Sequence, residues 1–363
     1  RAPGYGDGRE LLAQRFAHRV LRRIEQTSGT AVTLTQLVRN RAITQAVRRI
    51  WPPVDPARVV FELLTNPESL AAAADGILSA AEQEAVLLNP RPRSVRSMAW
   101  STLDLALLDE AAAMVERPVK LGHVMVDEAQ DLSPVHFRAI GRRLSGACTV
   151  LGDLAQATSP SAVRDWTEVL THLDRAGGHV EVLERGYRVP AEVIDYAARL
   201  LPHIAPGLAG PTSFRHSANA LHVTRTAPDR RTTVITSACR NALAGEGSIC
   251  VIAADSDVPE LRGALEGLPH TVLGESLLEP ERLTLAPVSL AKGLEYDTVL
   301  VIEPARIVDA EPKGLQRLYV ALTRAVSTLH VIHAHDLPAP LAQPGSAVPS
   351  GAGTVSAASS VLS

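Results

Sequence analysis

The sequence predicts an α/β protein built on parallel sheets, and three observations predict it. First, short apolar runs end abruptly in polar residues. His123-Val124-Met125-Val126 stops at Asp127-Glu128, and Cys148 to Leu151 stops at Gly152-Asp153. Such runs read as strands buried in a parallel sheet. Second, in the latter half of the chain apolar runs alternate with helical patterns, which implies a sheet covered on both faces. Third, the composition is 46% hydrophobic, and no apolar run is as long as a bilayer span; this describes a packed globular core and no membrane partner.

The elements follow in order. Leu12, Phe16, Val20, Leu21 and Ile24 recur at helical spacing, and a second amphipathic stretch covers Leu34 to Ile50 until Trp51-Pro52-Pro53 breaks it. Short helices fill Asp55 to Leu88. Asn66-Pro67 reads as an N-cap with proline at the first helical position, and Ser79 with Glu82 and Ser101 with Asp104 read as capping boxes. The helix from Thr102 puts Leu103, Leu107, Ala111 and Met114 on one face, and Arg91 to Ser97 is a polar loop. After the central strand come a helix over Pro134 to Leu144, a strand over Cys148 to Leu151, a helix over Val163 to Leu173 and a strand over Val180 to Leu183. His203 to Ser217, rich in Pro and Gly, reads as a linker. Further strands are expected at 221–224, 248–253, 271–273, 283–288, 298–302 and 328–332, with helices over 229–243, 257–265 and 314–325 between them. Beyond Leu337 the chain has no charged residue and reads as a disordered tail.

A chain of 363 residues has room for two domains. Its net charge of −3 weighs against a protein whose affinity comes from neutralising phosphates. Cys148, Cys239 and Cys250 lack metal-ligand spacing and read as core residues of a reduced, cytoplasmic protein. The lysines number three: Lys120, Lys292 and Lys313.

The ends of the first two strands carry the candidate chemistry, because ligands of open α/β sheets sit beyond the carboxyl ends of strands. Asp127 could hold Mg²⁺ on a nucleotide while Glu128 orients or deprotonates a water. Gln156 either senses a γ-phosphate or is an ordinary loop amide. Tyr187-Arg188 offers a ring for a base and a guanidinium for phosphate, or else a packed tyrosine beside a surface arginine. In Lys292-Gly293-Leu294-Glu295-Tyr296-Asp297, Gly293 would permit close backbone approach and Glu295 would bond a ribose hydroxyl; the plain alternative is a loop before an edge strand. Arg324 lies in an otherwise apolar helix and needs a partner, either a triphosphate or a structural carboxylate.

Taken in order, Val126–Asp131, Gly152–Gln156, Gly186–Pro190, Lys292–Asp297 and Leu318–Ala325 resemble motifs II to VI of the UvrD/Rep-like superfamily 1 helicases. The resemblance implies two RecA-like P-loop NTPase lobes with ATP bound between them. By position it implies Asp127 on Mg²⁺, Glu128 as general base, Gln156, Arg188 and Arg324 on the γ-phosphate, Tyr187 on adenine and Glu295 on the ribose, so that Asp127, Gln156, Arg188 and Arg324 line one cleft. A narrower similarity, carried by Trp51-Pro52-Pro53, Ala99–Glu110, Asp131–Pro134, Gly152–Ser159 and Arg164-Asp165-Trp166, is to the actinobacterial HelD/HelR proteins. Those are helicase-like ATPases that act on RNA polymerase, which makes RNA polymerase the expected partner and DNA the alternative.

The chain departs from the family at the phosphate loop. None of the lysines follows a glycine, so there is no Gly-Lys-Ser/Thr to cradle phosphates. Gly186 and Ser289 also replace the Asn and His usual in the wider group. The expectation is a C-terminal portion, or a shortened homologue, whose Walker A segment lies elsewhere. Residues 1–118 would form a mostly helical segment, 119–184 an incomplete first lobe, 185–336 the second lobe and 337–363 the tail.

Overall fold

The computed structural model describes residues 4–27, 31–208, 210–275 and 281–342. The chain divides into two units. The first comprises residues up to Gly152 together with Ser161–His179; the second comprises Asp153–Pro160 and the chain from Val180 onward.

The first unit opens with three helices, α1 (Tyr5–Thr27), α2 (Leu34–Val38) and α3 (Arg41–Ile50). Ala17, Leu37, Ile43 and Val47 form their shared core, with Leu12, Phe16, Leu21 and Ile24 packed on it, while Val20 faces solvent. The single stretch expected over 34–50 is divided at Asn40, whose side chain caps α3 by accepting from the Ala42 N–H. Helices α4 (Pro56–Thr65), α5 (Pro67–Ala73) and α6 (Ala80–Val86) follow, then α7 (Thr102–Val115). The expected caps form: Asn66 accepts from Glu68 and Ser69, and Ser79–Glu82 and Ser101–Asp104 close reciprocal boxes.

The face of α7 that carries Leu103, Leu107 and Met114 is not its buried one. Leu103, Leu107 and Met114 are exposed; Ala106 is buried, and Leu108 and Ala111 pack on Val60, Leu64 and Met98. Ten of the fourteen residues of α7 are apolar, so what sets its rotation is two of its three carboxylates. Asp109 and Glu110 turn toward α8 (Pro134–Arg143) and pair with Arg138, Arg142 and Arg143. The Arg143 hydrogen bond holds the Asp109 carboxyl below its usual range, and the Arg138 bond does the same for Glu110.

Strands β1 (Leu121–Val126) and β2 (Leu144–Val150) pair in parallel around α8, and α9 (Trp166–His172) closes the unit. Lys120 Nζ donates to the carbonyls of Arg142 (2.6 Å) and Leu144 (3.4 Å), tying the start of β1 to the start of β2. The expectation of a fully buried central strand is also corrected. β1 has one strand neighbour among the described residues, and its outward side chains are uncovered, with Met125 73% exposed. Cys148 is half-buried and not core.

In the second unit, β3 (Arg185–Gly186) and β4 (Thr212–Ser213) make a small parallel ladder, with α10 (Ala191–Ala198) and α11 (Leu201–Ile204) between them. The segment read as a linker therefore contains paired strand. No regular structure forms over 180–183, where the sequence predicts a strand, and Val182 and Leu183 lie in solvent with no face to bury them.

The main sheet comprises β5 (Leu221–Arg225), β6 (Ile249–Ala253), β7 (Thr271–Val272), β8 (Leu283–Pro287), β9 (Tyr296–Ile302) and β10 (Ala325–His333). Its order is β5-β10-β9-β6-β8-β7, and every pairing is parallel. Helices α12 (Arg231–Ala244), α13 (Val258–Ala264), α14 (Pro304–Asp309), α15 (Gly314–Leu322) and α16 (Ala339–Ala342) complete the unit.

Side chains alternate across the sheet as the two-residue period requires. Cys250, Ile252, Val299, Val301, Leu329 and Val331 join the core with Val193, Leu200, Leu318 and Leu322. Ile249, Val251, Leu300, Ile302 and Ile332 join the opposite core with Ile235, Cys239, Leu261 and Leu265. Helix α15 ends at Leu322, three residues short of the expected Ala325, which opens β10.

The tail expected from Leu337 is corrected at its start, because Ala339–Ala342 forms a turn of helix and Leu341 is buried. Residues 343–363 lie outside the described residues. The division also puts Asp153–Pro160 with the second unit, whereas the sequence assigned them to the first lobe; Ala155 is buried in the second unit's core.

Candidate nucleotide site

Asp127 and Glu128 follow directly on β1, and both are exposed. Glu128 has a φ of +52°, a left-handed conformation uncommon outside glycine and worth a functional question where it occurs. Its contacts include two hydrogen bonds. The Glu128 N–H donates to Asp127 Oδ1 at 2.8 Å, and Gln130 Nε2 donates to Glu128 Oε2 at 2.6 Å. Gln130 is 1% exposed and rests on Gly152, where a Cβ would come within 2.6 Å of Gln130 Oε1 and 3.1 Å of the Trp166 ring. Gly152 is thus small because buried Gln130 and half-buried Trp166 need its space. The sequence reading quoted Gln130 in its motif without giving it this supporting role. Two adjacent carboxylates are a hard-oxygen donor set suited to Mg²⁺, which commonly takes one or two carboxylates and completes its shell with phosphates and water. No group of three or more His, Cys, Asp or Glu able to hold a metal occurs among the described residues.

In the second unit the candidate residues form a connected polar chain. Asp153 caps the short turn Leu154–Gln156, accepting from the Ala155 N–H at 2.9 Å and from Gln156 Nε2 at 2.9 Å. That orients the Gln156 amide so that Oε1 accepts from Arg324 Nη2 at 2.9 Å. Arg324 is 6% exposed; its Nε donates to the Val320 carbonyl at 3.0 Å and its Nη1 to the Leu294 carbonyl at 3.4 Å. Arg324 lies past the end of α15, at the junction with β10, where Thr323 turns the chain. Lys292 Nζ donates to the Gln156 carbonyl at 3.0 Å, a contact joining motifs 136 residues apart that the sequence reading did not assign. Gly293 has a φ of +76° with open space where a Cβ would stand, so backbone conformation and not crowding selects glycine there.

Arg188 and Glu295, read as contacts for phosphate and ribose, are ion-paired to each other with both side chains substantially exposed. Tyr187 is 70% exposed and stacks on Phe214. The Tyr319 hydroxyl is pushed up, first by burial and then by the charge of Asp153, so it stays protonated at the base of this chain. Gln156, Lys292, Glu295, Arg188 and Arg324 are therefore brought together through Leu294, while Asp127 and Glu128 belong to the first unit.

Cys148, Cys239 and Cys250 are free thiols, and burial pushes Cys239 and Cys250 up to about 12. No helix among the described residues is long and apolar enough to cross a membrane.

No family model and no curated protein matches the sequence. Among solved structures, the chain is similar to the C-terminal domain of a possible DNA helicase from Lactobacillus plantarum WCFS1, at 19% identity and a TM-score of 0.33, over 43% of this chain and 92% of that one. It is also similar to Arterivirus nonstructural protein 10, a helicase solved in complex with DNA, at 18% identity and a TM-score of 0.35, over 59% of this chain and 40% of that one. The same viral helicase solved separately gives 18% identity and a TM-score of 0.35 over 60% of this chain and 41% of its own length.

Proposed function

We propose that this chain is the nucleotide-responsive part of a helicase-like ATPase and that, taken alone, it binds ATP weakly and hydrolyses it negligibly. The observation that carries the reading is the polar chain of the second unit. Arg188 with Glu295, Leu294 with Arg324, and Arg324 and Lys292 with Gln156 join the segments that resemble motifs III, IV, V and VI. A buried guanidinium held by an oriented amide is preorganised to meet a developing phosphate charge. The exposed Arg188–Glu295 pair is worth about 0–1 kcal/mol, so a phosphate and a ribose hydroxyl can replace it at little cost. Asp127 is the residue that would hold Mg²⁺, and Glu128 the one that would orient a water. ATP with Mg²⁺ supplies the phosphoryl group whose transfer drives such a motor.

Weak binding follows from the absence of Gly-Lys-Ser/Thr, since preorganised phosphate contacts supply most of the rate enhancement in phosphoryl transfer. The test is titration of the purified chain with a fluorescent ATP analogue alongside steady-state phosphate release. We expect measurable binding, weakened by Arg324→Ala and Gln156→Ala, without turnover. Robust phosphate release lost in Glu128→Gln would overturn the hydrolysis-deficient reading.

The target we favour for the whole protein is RNA polymerase, with DNA unwinding as the second reading. The similarity to HelD/HelR motivates it, and a net charge of −3 with 3% aromatic residues agrees, because trackers of free strands carry basic stripes and stacking rings. Co-purification of polymerase subunits from lysate is the expected result. Tight single-strand binding that falls steeply with salt, without polymerase, would favour the DNA reading.

A further inference from the structure

Phe214 lies outside every segment that resembles a motif, yet it holds the most exposed ring of the candidate site. The Tyr187 and Phe214 rings lie 5.1 Å apart and 20° from parallel, and the Arg185 guanidinium lies 5.5 Å from the Phe214 centroid. The backbone explains the meeting. β3 and β4 pair Arg185 with Thr212 and Gly186 with Ser213, so the next residues along each strand, Tyr187 and Phe214, come side by side. Both rings face solvent, at 70% and 55% exposure. Three arginines stand on the same two short segments: Arg185, Arg188 and Arg215. Arg215 donates to the Arg188 carbonyl and, at 3.0 Å, to the Val326 carbonyl, which fixes β4 beside the start of β10.

We propose that Phe214 and Arg185 are positioning residues. They immobilise the Tyr187 ring as a platform for a nucleobase, while the neighbouring arginines meet the attached phosphate. The proposal rests on the reading of Tyr187 as a base-stacking residue and extends it. The physical argument has three parts. An exposed tyrosine rotates about two side-chain torsions, and ordering it at the moment of binding costs affinity. A ring already stacked beneath it removes that cost. Guanidinium groups around stacked rings attract the π-face and phosphate of a nucleotide together, a combination an apolar protein partner would not need. The occupant is therefore a base carrying phosphate. It can arrive as a free nucleotide or within a single strand.

The experiment uses the full chain and two fluorescent probes, 2-aminopurine riboside triphosphate and a short single strand containing one 2-aminopurine. Stacking quenches this base, so quenching reports the platform itself. Inorganic tripolyphosphate, which has no base, is titrated by calorimetry in parallel. Phe214→Leu keeps volume and removes the ring; Phe214→Tyr restores a ring.

We expect Phe214→Leu to weaken 2-aminopurine binding roughly 2- to 10-fold and reduce its quenching, in line with the worth of an aromatic pair. Tripolyphosphate binding should not change, and Phe214→Tyr should behave as wild type. A larger effect on the triphosphate identifies a mononucleotide site, and a larger effect on the strand identifies a strand site; either outcome supports the platform. If Tyr187→Ala abolishes quenching while Phe214→Leu leaves it intact, the positioning role is wrong and the Tyr187 reading stands. If wild type quenches neither probe, both are wrong.

Discussion

Strands β1 and β9 end in similar apolar runs, Val124-Met125-Val126 and Val299-Leu300-Val301-Ile302, that meet opposite fates. β9 lies between β6 and β10 with helices over both faces, and Val299 to Ile302 are sealed. β1 pairs with β2 alone among the described residues and leaves Met125 73% exposed. An apolar run thus fixes only the capacity to be a strand. Burial comes from neighbours many residues away, and each unit supplies them to a different degree.

The most direct way to break this comparison is to truncate one side chain from each strand. Leu300→Ala should destabilise the second unit by about 2–5 kcal/mol, the cost of a cavity in a sealed core, whereas Met125→Ala should stay within about 0.5 kcal/mol. Chemical denaturation followed by circular dichroism measures both. Equal losses would mean that β1 is covered in solution.

The second test sharpens the contrast through pH. His330 on β10 stacks on His222 of β5 with ring centroids 4.5 Å apart. Burial first, and then the neighbouring imidazole, lower His330 to about 4. The folded state therefore resists a proton that the unfolded chain accepts near 6.5. Stability of the second unit should be fully present above that value and fall as pH drops from about 6.5 toward 4. His330→Gln should flatten this slope, as read from melting temperature against pH. An unchanged slope would remove His330 as its source.

The smallest expected effect is at the candidate site. A double-mutant cycle of Arg188→Ala and Glu295→Ala should give a coupling of at most about 1 kcal/mol without nucleotide, because both side chains are solvated. A larger coupling would mean the pair is a lock and not a replaceable contact.

Local chemistry was the legible part of the sequence. The caps at Asn66, Ser79 and Ser101 depend on side chains three residues away or fewer, and they form as expected. The alternation of apolar runs with helical patterns in the latter half announced a sheet covered on both faces, and the two cores on its two sides bear that out. What failed depended on distance. The rotation of α7 is set by arginines about 30 residues on, and its all-round apolar sequence offered periodicity nothing to choose between. The run at 180–183 had strand composition but no partner. Candidate site residues could be named one by one, whereas their bonds join positions more than 100 residues apart, as in Lys292 with Gln156 and Arg188 with Glu295. Phe214 carried no signal, because its importance lies in a strand pairing that exists only in the fold.

The scarcity of lysine has a practical consequence. Two of the three ε-amines are seated on backbone carbonyls at informative places, Lys120 at the start of β1 and Lys292 on Gln156. Each unit thus carries its own covalent reporter. A trace of amine-selective acylating reagent, followed by peptide mass spectrometry, reads two local opening rates from a single unmodified sample. Lys120 would report how often the β1–β2 pair frays, and Lys292 how often the Gln156 turn lets go.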